Sequence, residues 1–262
     1  MTFAVQAAET TPMHVPNPVQ RPSFQPRGAV SKAAAAQALR LGGLTPMTTA
    51  DYPGELAATL FCQGCPWRCA YCHNAHLVDA ADEPALDWSE AREFLVRRRG
   101  LLDAVVFSGG EPTAQSALPA AIAELRELGY KIGLHTGGPY PRRLAEVLPL
   151  VDWVGLDIKA LPSDYSLVTG VPGSGENAWD SLALAVESGI ALEVRTTPLP
   201  GLDSPAYLEH LMQELAAVGV SRYALQQCRP HSLLEAELRE RLPTQLAIPD
   251  AMPFAHFELR AI

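Results

Sequence analysis

Along the chain, short runs rich in apolar and β-branched residues alternate with longer stretches in which apolar residues recur every three or four positions. The first pattern suits strands and the second amphipathic helices. The strand-like runs are AATLF (57–61), AVVFS (104–108), KIGLHT (131–136), WVGLDIK (153–159), ALEVRTT (191–197) and RYALQQ (222–227). Helical stretches follow at 87–100, 116–129, around 141–148, 177–189, 204–219 and 232–242. The first of them carries its own start and stop: Asp87 as N-cap, Glu90 three residues on as capping-box partner, and Gly100 past the end. Repeated βα units build a parallel sheet. Six of them predict an α/β fold, a partial (β/α)6 TIM-like barrel, since a closed eight-unit barrel needs about 250 residues.

Residues 1–37 break the pattern. Pro12, Pro16, Pro18, Pro22 and Pro26 among polar neighbours predict a disordered extension, with VSKAAAAQALRL as a short helix leading into a domain at 38–262. The whole chain, 262 residues and 48% hydrophobic, is large enough for a real core. Its longest apolar runs fall far below the roughly 18 residues of a membrane span. MTFAVQAAETTPM lacks the basic start and compact apolar stretch of a secretory signal, so a cytoplasmic location is expected. A net charge of −9 gives no footprint for nucleic acid, and VRRR at 96–99 reads as a helix end, where cations suit the dipole.

The chemistry-bearing residues gather where strands give way to loops. CQGCPWRCAYCHN follows the first strand, SGGEP the second and HTGG the third; DIK ends the fourth, RTT the fifth and QQCRP the sixth. In parallel βα folds these loops share the rim where active sites are built. Cys62, Cys65, Cys69 and Cys72 are four of only five cysteines, and in a reducing compartment such a group indicates metal or catalysis rather than disulfides. Structural zinc prefers two tight pairs separated by a longer loop. Gaps of two, three and two residues favour an iron–sulfur cluster. Cys62, at the end of an apolar strand, reads as a small buried hydrophobe, and Cys228 likewise as a buried thiol; with Cys62 as a fourth ligand the alternative is an iron–sulfur electron carrier. Gly109 and Gly110 allow a backbone to approach a ligand closely, and Glu111 can accept from an ammonium group. The glycine-rich VTGVPGSGEN at 168–177 is either a candidate lid or a plain disordered connector.

The C-x-x-x-C-x-x-C spacing of Cys65, Cys69 and Cys72, with aromatic Tyr71 before the last cysteine, resembles the radical S-adenosylmethionine (SAM) enzymes. The resemblance implies the radical SAM type of partial barrel, with three cysteines binding three irons of a [4Fe-4S] cluster and SAM on the fourth. It also implies that Gly109, Gly110 and Glu111 form the methionyl-amine site. DYPGELAATLFCQGCPWRCAYCHN, FSGGEPT, DWVGLDIKA, EVRTT and YALQQCRP occur in the order seen in glycyl-radical-enzyme activating proteins, and are most similar to the branch that activates anaerobic ribonucleoside-triphosphate reductase. That resemblance places Asp157, Lys159 and Arg195 near SAM. A cation there suits the SAM carboxylate, and an aspartate suits a sugar hydroxyl or a cation; an Asp157–Lys159 or Asp157–Arg195 ion pair bracing the mouth is the plainer reading. Tyr71 either packs on adenine or plugs the barrel, and His73 and Asn74 hold the cluster loop. The implied partners are a low-potential electron donor and a glycyl radical enzyme. The implied reaction cleaves SAM reductively to methionine and a 5′-deoxyadenosyl radical, which takes a hydrogen atom. Pyruvate formate-lyase activases have D-T-N at the third strand's end, helping to hold a monovalent cation. Here His135 stands in HTGG, and neutral histidine is a poor ligand for a hard cation. The alternatives are another glycyl radical enzyme as partner, or a small-molecule substrate such as a deazapurine or peptide.

Overall fold

The computed structural model describes residues 32–80, 83–233, 236–243, 246, 248 and 252–260. The six expected strands form with ends within two residues of their predicted limits: β2 (Ala57–Cys62), β3 (Ala104–Gly109), β4 (Lys131–Thr136), β5 (Trp153–Asp157), β6 (Ala191–Thr196) and β7 (Arg222–Gln226). They pair in parallel, each with the next. Two more strands flank them and make an eight-stranded sheet in sequential order. β1 (Leu41–Thr48) runs antiparallel to β2, and β8 (His256–Arg260) parallel to β7. Neither has a counterpart in the sequence reading, because LGGLTPMT carries two glycines and a proline, residues that weaken a strand signal, and HFELR is short. The parallel (β/α)6 unit therefore stands as expected, extended by one strand at each edge.

The helices are α1 (Lys32–Ala36), α2 (Trp88–Arg97), α3 (Leu118–Glu127), α4 (Pro141–Val147), α5 (Tyr165–Thr169), α6 (Ser174–Ser188), α7 (Pro205–Val218) and α8 (Ala236–Glu240). α1 is the predicted lead-in helix. With Ala36 buried, the folded part includes residues that the sequence assigned to the extension; residues 1–31, where the rest of that extension falls, lie outside the described residues. The candidate lid is also folded. Val168 and Thr169 end α5, Ser174 opens α6, and the buried hydroxyls of Thr169 and Ser174 are 2.7 Å apart, so this segment is a tight corner between helices. Among the described residues no helix is long and apolar enough to cross a membrane.

Alternation along the strands decides what fills the barrel, because every second side chain shares a face. At the N-terminal end Tyr52, Ala57, Ala104, Val106 and Trp153 form a small apolar plug. One or two steps further along the strands the inward residues turn polar: Thr59, His135, Glu193 and Arg195. The C-terminal ends bring Ser108, Asp157, Thr197 and Gln226 to the lining of a cavity of about 270 Å³. The opposite strand faces pack into the main core with the helices.

Candidate active site

The cysteine loop is pinned by its own backbone before any ligand is considered. Gly64 and Cys65 donate N–H bonds to Leu77 O (2.7 Å) and Val78 O (3.1 Å), Cys72 N–H donates to Cys69 O (3.1 Å), and Arg68 Nη1 donates to Cys65 O (2.9 Å) and Trp67 O (3.0 Å). Cys65, Cys69 and Cys72 all line the cavity, while Cys62 does not and is fully buried. Burial pushes the Cys65 thiol up to about 12 and also raises Cys69, against which Lys159 acts as a lowering cation. Thiols this dry become thiolates only beside strong positive charge. Cys228 is buried, outside the lining, with a thiol raised to about 11 by burial.

SGGEP is stitched to that loop. Gly110 N–H donates to Cys62 O and Glu111 N–H to Gly64 O, both at 2.8 Å. Gly109 has φ of 109°, and a Cβ there would come within 2.5 Å of the Cys62 backbone; one on Gly110 would come equally near Gly64 O. The close approach that these glycines permit is to the chain's own backbone, although both also line the cavity. Glu111 is buried, and Thr113 N–H (3.0 Å), Thr113 Oγ1 (2.6 Å) and Thr136 Oγ1 (2.7 Å) donate to its Oε1, with Gly137 N–H (3.0 Å) donating to Oε2. A carboxylate has about four acceptor positions. Three donors share the two positions of Oε1 and one donor takes a position on Oε2, so the place left open is the second one on Oε2. Burial raises its pKa, and the four bonds counter that rise.

At the end of β5, Lys159 Nζ lies 3.3 Å from Asp157 Oδ2 and 5.7 Å from the centroid of the Tyr71 ring. The lysine side chain is 11% exposed and the aspartate 45%, so the cation is the buried partner. Burial pushes Lys159 down most strongly of any single influence, but Asp157 together with Tyr71, Cys69 and Tyr165 outweighs it and holds the amine well above the usual lysine range. Tyr71 is buried at the cavity wall, and among the described residues its hydroxyl has no hydrogen-bond partner.

Arg195 reaches the cavity but does not pair with Asp157. Its Nε donates to Glu193 Oε1 at 2.8 Å, and the guanidinium lies over Trp153 at 5.2 Å. Arg260 of β8 grips the same carboxylate with two bonds, at 2.9 and 3.1 Å. Burial raises Glu193, and Arg260 and Arg195 outweigh it, so the carboxyl titrates below its ordinary range. The Asp157–Lys159 pair thus exists, and the Asp157–Arg195 pair does not.

His135 is held in one state. Burial, then Arg195, lowers its pKa far below the ordinary value. Its Nε2 lies 2.8 Å from Asp51 O and 3.3 Å from Arg195 Nη2. The shorter contact, to an oxygen that can only accept, puts the proton on Nε2, so the Arg195 contact is not a hydrogen bond and Nδ1 is left to accept from Ser108 Oγ at 3.4 Å. With Nε2 protonated and the Nδ1 lone pair turned to Ser108, the ring presents no free lone pair to a cation. Asn74 Nδ2 donates to Gly109 O at 3.3 Å, while His73 lines the cavity without a hydrogen bond among those described.

The structure therefore brings all ten expected residues, Cys65, Cys69, Tyr71, Cys72, Gly109, Gly110, Glu111, Asp157, Lys159 and Arg195, to one cavity. It adds Asp51, Trp67, Ser108, Thr136, Gly137, Thr197 and Gln226 to the lining. Trp67 fits because position 137 is glycine: a Cβ there would run into the indole. Ser108 and Glu193 stand inside the quoted SGGEP and EVRTT with no role read for them, although Glu193 shares an inward strand face with Arg195 two positions on.

The profile of the Radical SAM superfamily matches residues 59–225, from within β2 to within β7. The chain belongs to the Radical SAM superfamily. As an enzyme of this kind it works with a [4Fe-4S] cluster and SAM. The chain is 26% identical over 220 residues to a protein named as a glycyl-radical enzyme activating enzyme from Methanocaldococcus jannaschii, covering 76% of this chain and 84% of that one. It is 32% identical over 170 residues to the pyruvate formate-lyase-activating enzyme of Clostridium pasteurianum, covering 62% of this chain and 70% of that one. Streptococcus suis SuiB bound to S-adenosylmethionine shares the fold at a TM-score of 0.54 and 16% identity, covering 70% of this chain. This chain spans 41% of SuiB's length.

The donor set fits the superfamily's cluster. Three thiols front one cavity, and the fourth nearby cysteine is sealed away from it. Among the described residues no three His, Cys, Asp or Glu side chains could share a single ion; a cluster that offers each thiolate its own iron does not ask them to.

Proposed function

We propose that this protein generates a glycyl radical on a separate enzyme, and that the enzyme is anaerobic ribonucleoside-triphosphate reductase. The observation that carries the activase reading is the convergence of three cysteine thiols, the SGGEP segment and the Asp157–Lys159 pair on one cavity. Relatives named as activating enzymes support it; the order of the quoted segments supports the reductase as partner. Cys65, Cys69 and Cys72 hold the cluster. Lys159 faces the SAM carboxylate, Tyr71 packs against adenine, Asp157 takes a ribose hydroxyl, and Arg195 closes the wall beyond them. Glu111 has its open Oε2 position for the ammonium group and otherwise fixes Thr113, Thr136 and Gly137. When bound, the reduced cluster and SAM supply the chemistry, one electron that splits the sulfonium and a carbon radical that takes hydrogen from a glycine. The protein orients SAM and keeps water and stray donors out. A low-potential electron donor completes the system in a reducing, cytoplasmic setting.

The test is electron paramagnetic resonance on anaerobically reconstituted, dithionite-reduced protein with SAM and the reductase. A glycine-centred doublet on the reductase is expected, and it disappears when the reductase's C-terminal glycine is replaced by alanine. SAM cleavage with a radical on a different glycyl radical enzyme alone would keep the activase and remove the reductase. No SAM cleavage under any of these conditions would remove the whole reading.

A further inference from the structure

The corner that replaces the expected lid touches two parts of the site at once. Val168 and Thr169, at the end of α5, accept N–H bonds from Ala70 (3.0 Å) and Arg68 (2.9 Å) of the cysteine loop. Tyr165, at its start, is fully buried, and its ring meets Trp67 of the same loop edge to face, centroids 5.7 Å apart at 66°. The Tyr165 hydroxyl accepts from Lys159 N–H at 3.1 Å and donates to Asp157 O at 3.2 Å. One phenol oxygen can do both. Between those two peptides, Ile158 N–H donates to Arg195 O at 2.9 Å and Ile158 O accepts from Thr196 Oγ1 at 2.7 Å. The DIK segment is thus tied on one side to β6 and on the other to Tyr165. α5 is itself anchored, since Thr169 Oγ1 donates to Tyr165 O at 3.0 Å and meets Ser174 Oγ of α6.

We infer that Tyr165 is a positioning residue that couples the cysteine loop to the Asp157–Lys159 pair, so that Lys159 is set over Tyr71 only while the cysteine loop is seated on α5. This rests on the reading that the cavity takes the cluster and SAM. Two loops that must meet the same ligand assembly gain precision when one rigid turn holds both. The bridge is short: one ring, one hydroxyl and two carbonyls.

Tyr165→Phe keeps the ring and removes both hydroxyl bonds. In the reconstituted protein the SAM dissociation constant is expected to rise about 2- to 10-fold, the worth of about one hydrogen bond. Amide hydrogen exchange at Lys159, Arg68 and Ala70 should quicken together, while Ile132–Thr136 of β4 stays protected. A second variant leaves the hydroxyl intact: Gly170→Ala puts a side chain at the α5 C-cap, where φ is 69°, and strains the turn that presents Val168 and Thr169. It should quicken Arg68 and Ala70 and carry over to Lys159. Faster exchange in only one of the two segments, in either variant, would overturn the coupling. So would an unchanged SAM dissociation constant beside a lowered melting temperature in Tyr165→Phe, which marks a residue of the core alone. If the wild-type protein binds no SAM, the functional reading falls, and the exchange pattern by itself still decides whether α5 joins the loops.

Discussion

Beyond the ligand role proposed for it, Glu111 serves the fold. Replacing it with alanine strands the N–H groups of Thr113 and Gly137 and two hydroxyls in a buried place. Unsatisfied buried groups cost about 1–3 kcal/mol each, so even with some relaxation Glu111→Ala should lose roughly 3 kcal/mol. For a domain of this size that is about 6–12 °C in melting temperature, read by calorimetry on the anaerobic protein. Glu111→Gln keeps the shape but turns a donor toward donors, and should lie between the two. An alanine variant that melts within about 2 °C of wild type would show that the donors find other partners. The sequence pointed to this residue as a ligand group and not to its structural task, because nothing in SGGEP announces that Thr136, 25 positions later, will bond the same carboxylate. His135 carries a second expectation at this scale. Burial and Arg195 depress its folded pKa, while the unfolded chain takes up the proton near about 6.5. The neutral ring's contribution is therefore full above about 6.5 and lost as pH falls through that value, with a slope of up to about 1.4 kcal/mol per pH unit. His73 shares the sign, so the informative quantity is the difference between wild type and His135→Gln. The variant's urea midpoint should depend less steeply on pH between about 7 and 5.5; equal slopes would mean that the ring is charged in the fold.

Among the elements, β8 contributes most that the pattern of the chain did not reveal. Arg260, opposite Gln226 in the β7 pairing, reaches across to Glu193 and so fixes Arg195 at the cavity wall. Arg260→Met leaves the buried carboxylate with Arg195 alone. Removing a partner from a buried ion pair costs about 3–5 kcal/mol, and since Arg260 is partly exposed the lower end of that range is expected, together with weaker SAM binding. Denaturation and SAM titration of that variant check the two parts separately; loss of stability with unaltered SAM affinity would limit β8 to support of the fold. The six central strands were legible because buried parallel strands are continuous apolar runs, bounded here by glycine or helix caps. β1 and β8 were not, because edge strands face one neighbour and tolerate proline, glycine and charge. The α5–α6 corner was misread for a related reason. Glycine and proline in VTGVPGSGEN mark a change of direction, and composition alone does not distinguish a mobile loop from two helix ends locked by Thr169 and Ser174.

At the scale of the whole molecule, the apolar plug and the polar cavity divide the barrel into a closed end and a reactive end. Tyr52, Ala57, Ala104, Val106 and Trp153 fill the first; every residue proposed to touch the cluster or SAM lies at the second. That polarity was legible before any coordinates, because the unusual residues fell after strands and not before them. A macromolecular partner whose glycine enters the cavity must therefore cover the C-terminal rim. Arg68, His73, Arg229 and His231 are exposed there, and Leu167 on α5 is 62% exposed beside the cysteine loop. The other end also shows apolar surface at Val96 and Leu101, so hydrophobicity alone does not choose between them. The chemistry does. Hydrogen-exchange footprinting of the reconstituted protein with SAM and the reductase should slow exchange at 66–74, 165–170 and 227–232, with the 97–103 segment unchanged. Protection confined to 97–103 would place the partner where no glycine can reach the cavity, and would refute transfer through the barrel mouth even if SAM cleavage were vigorous.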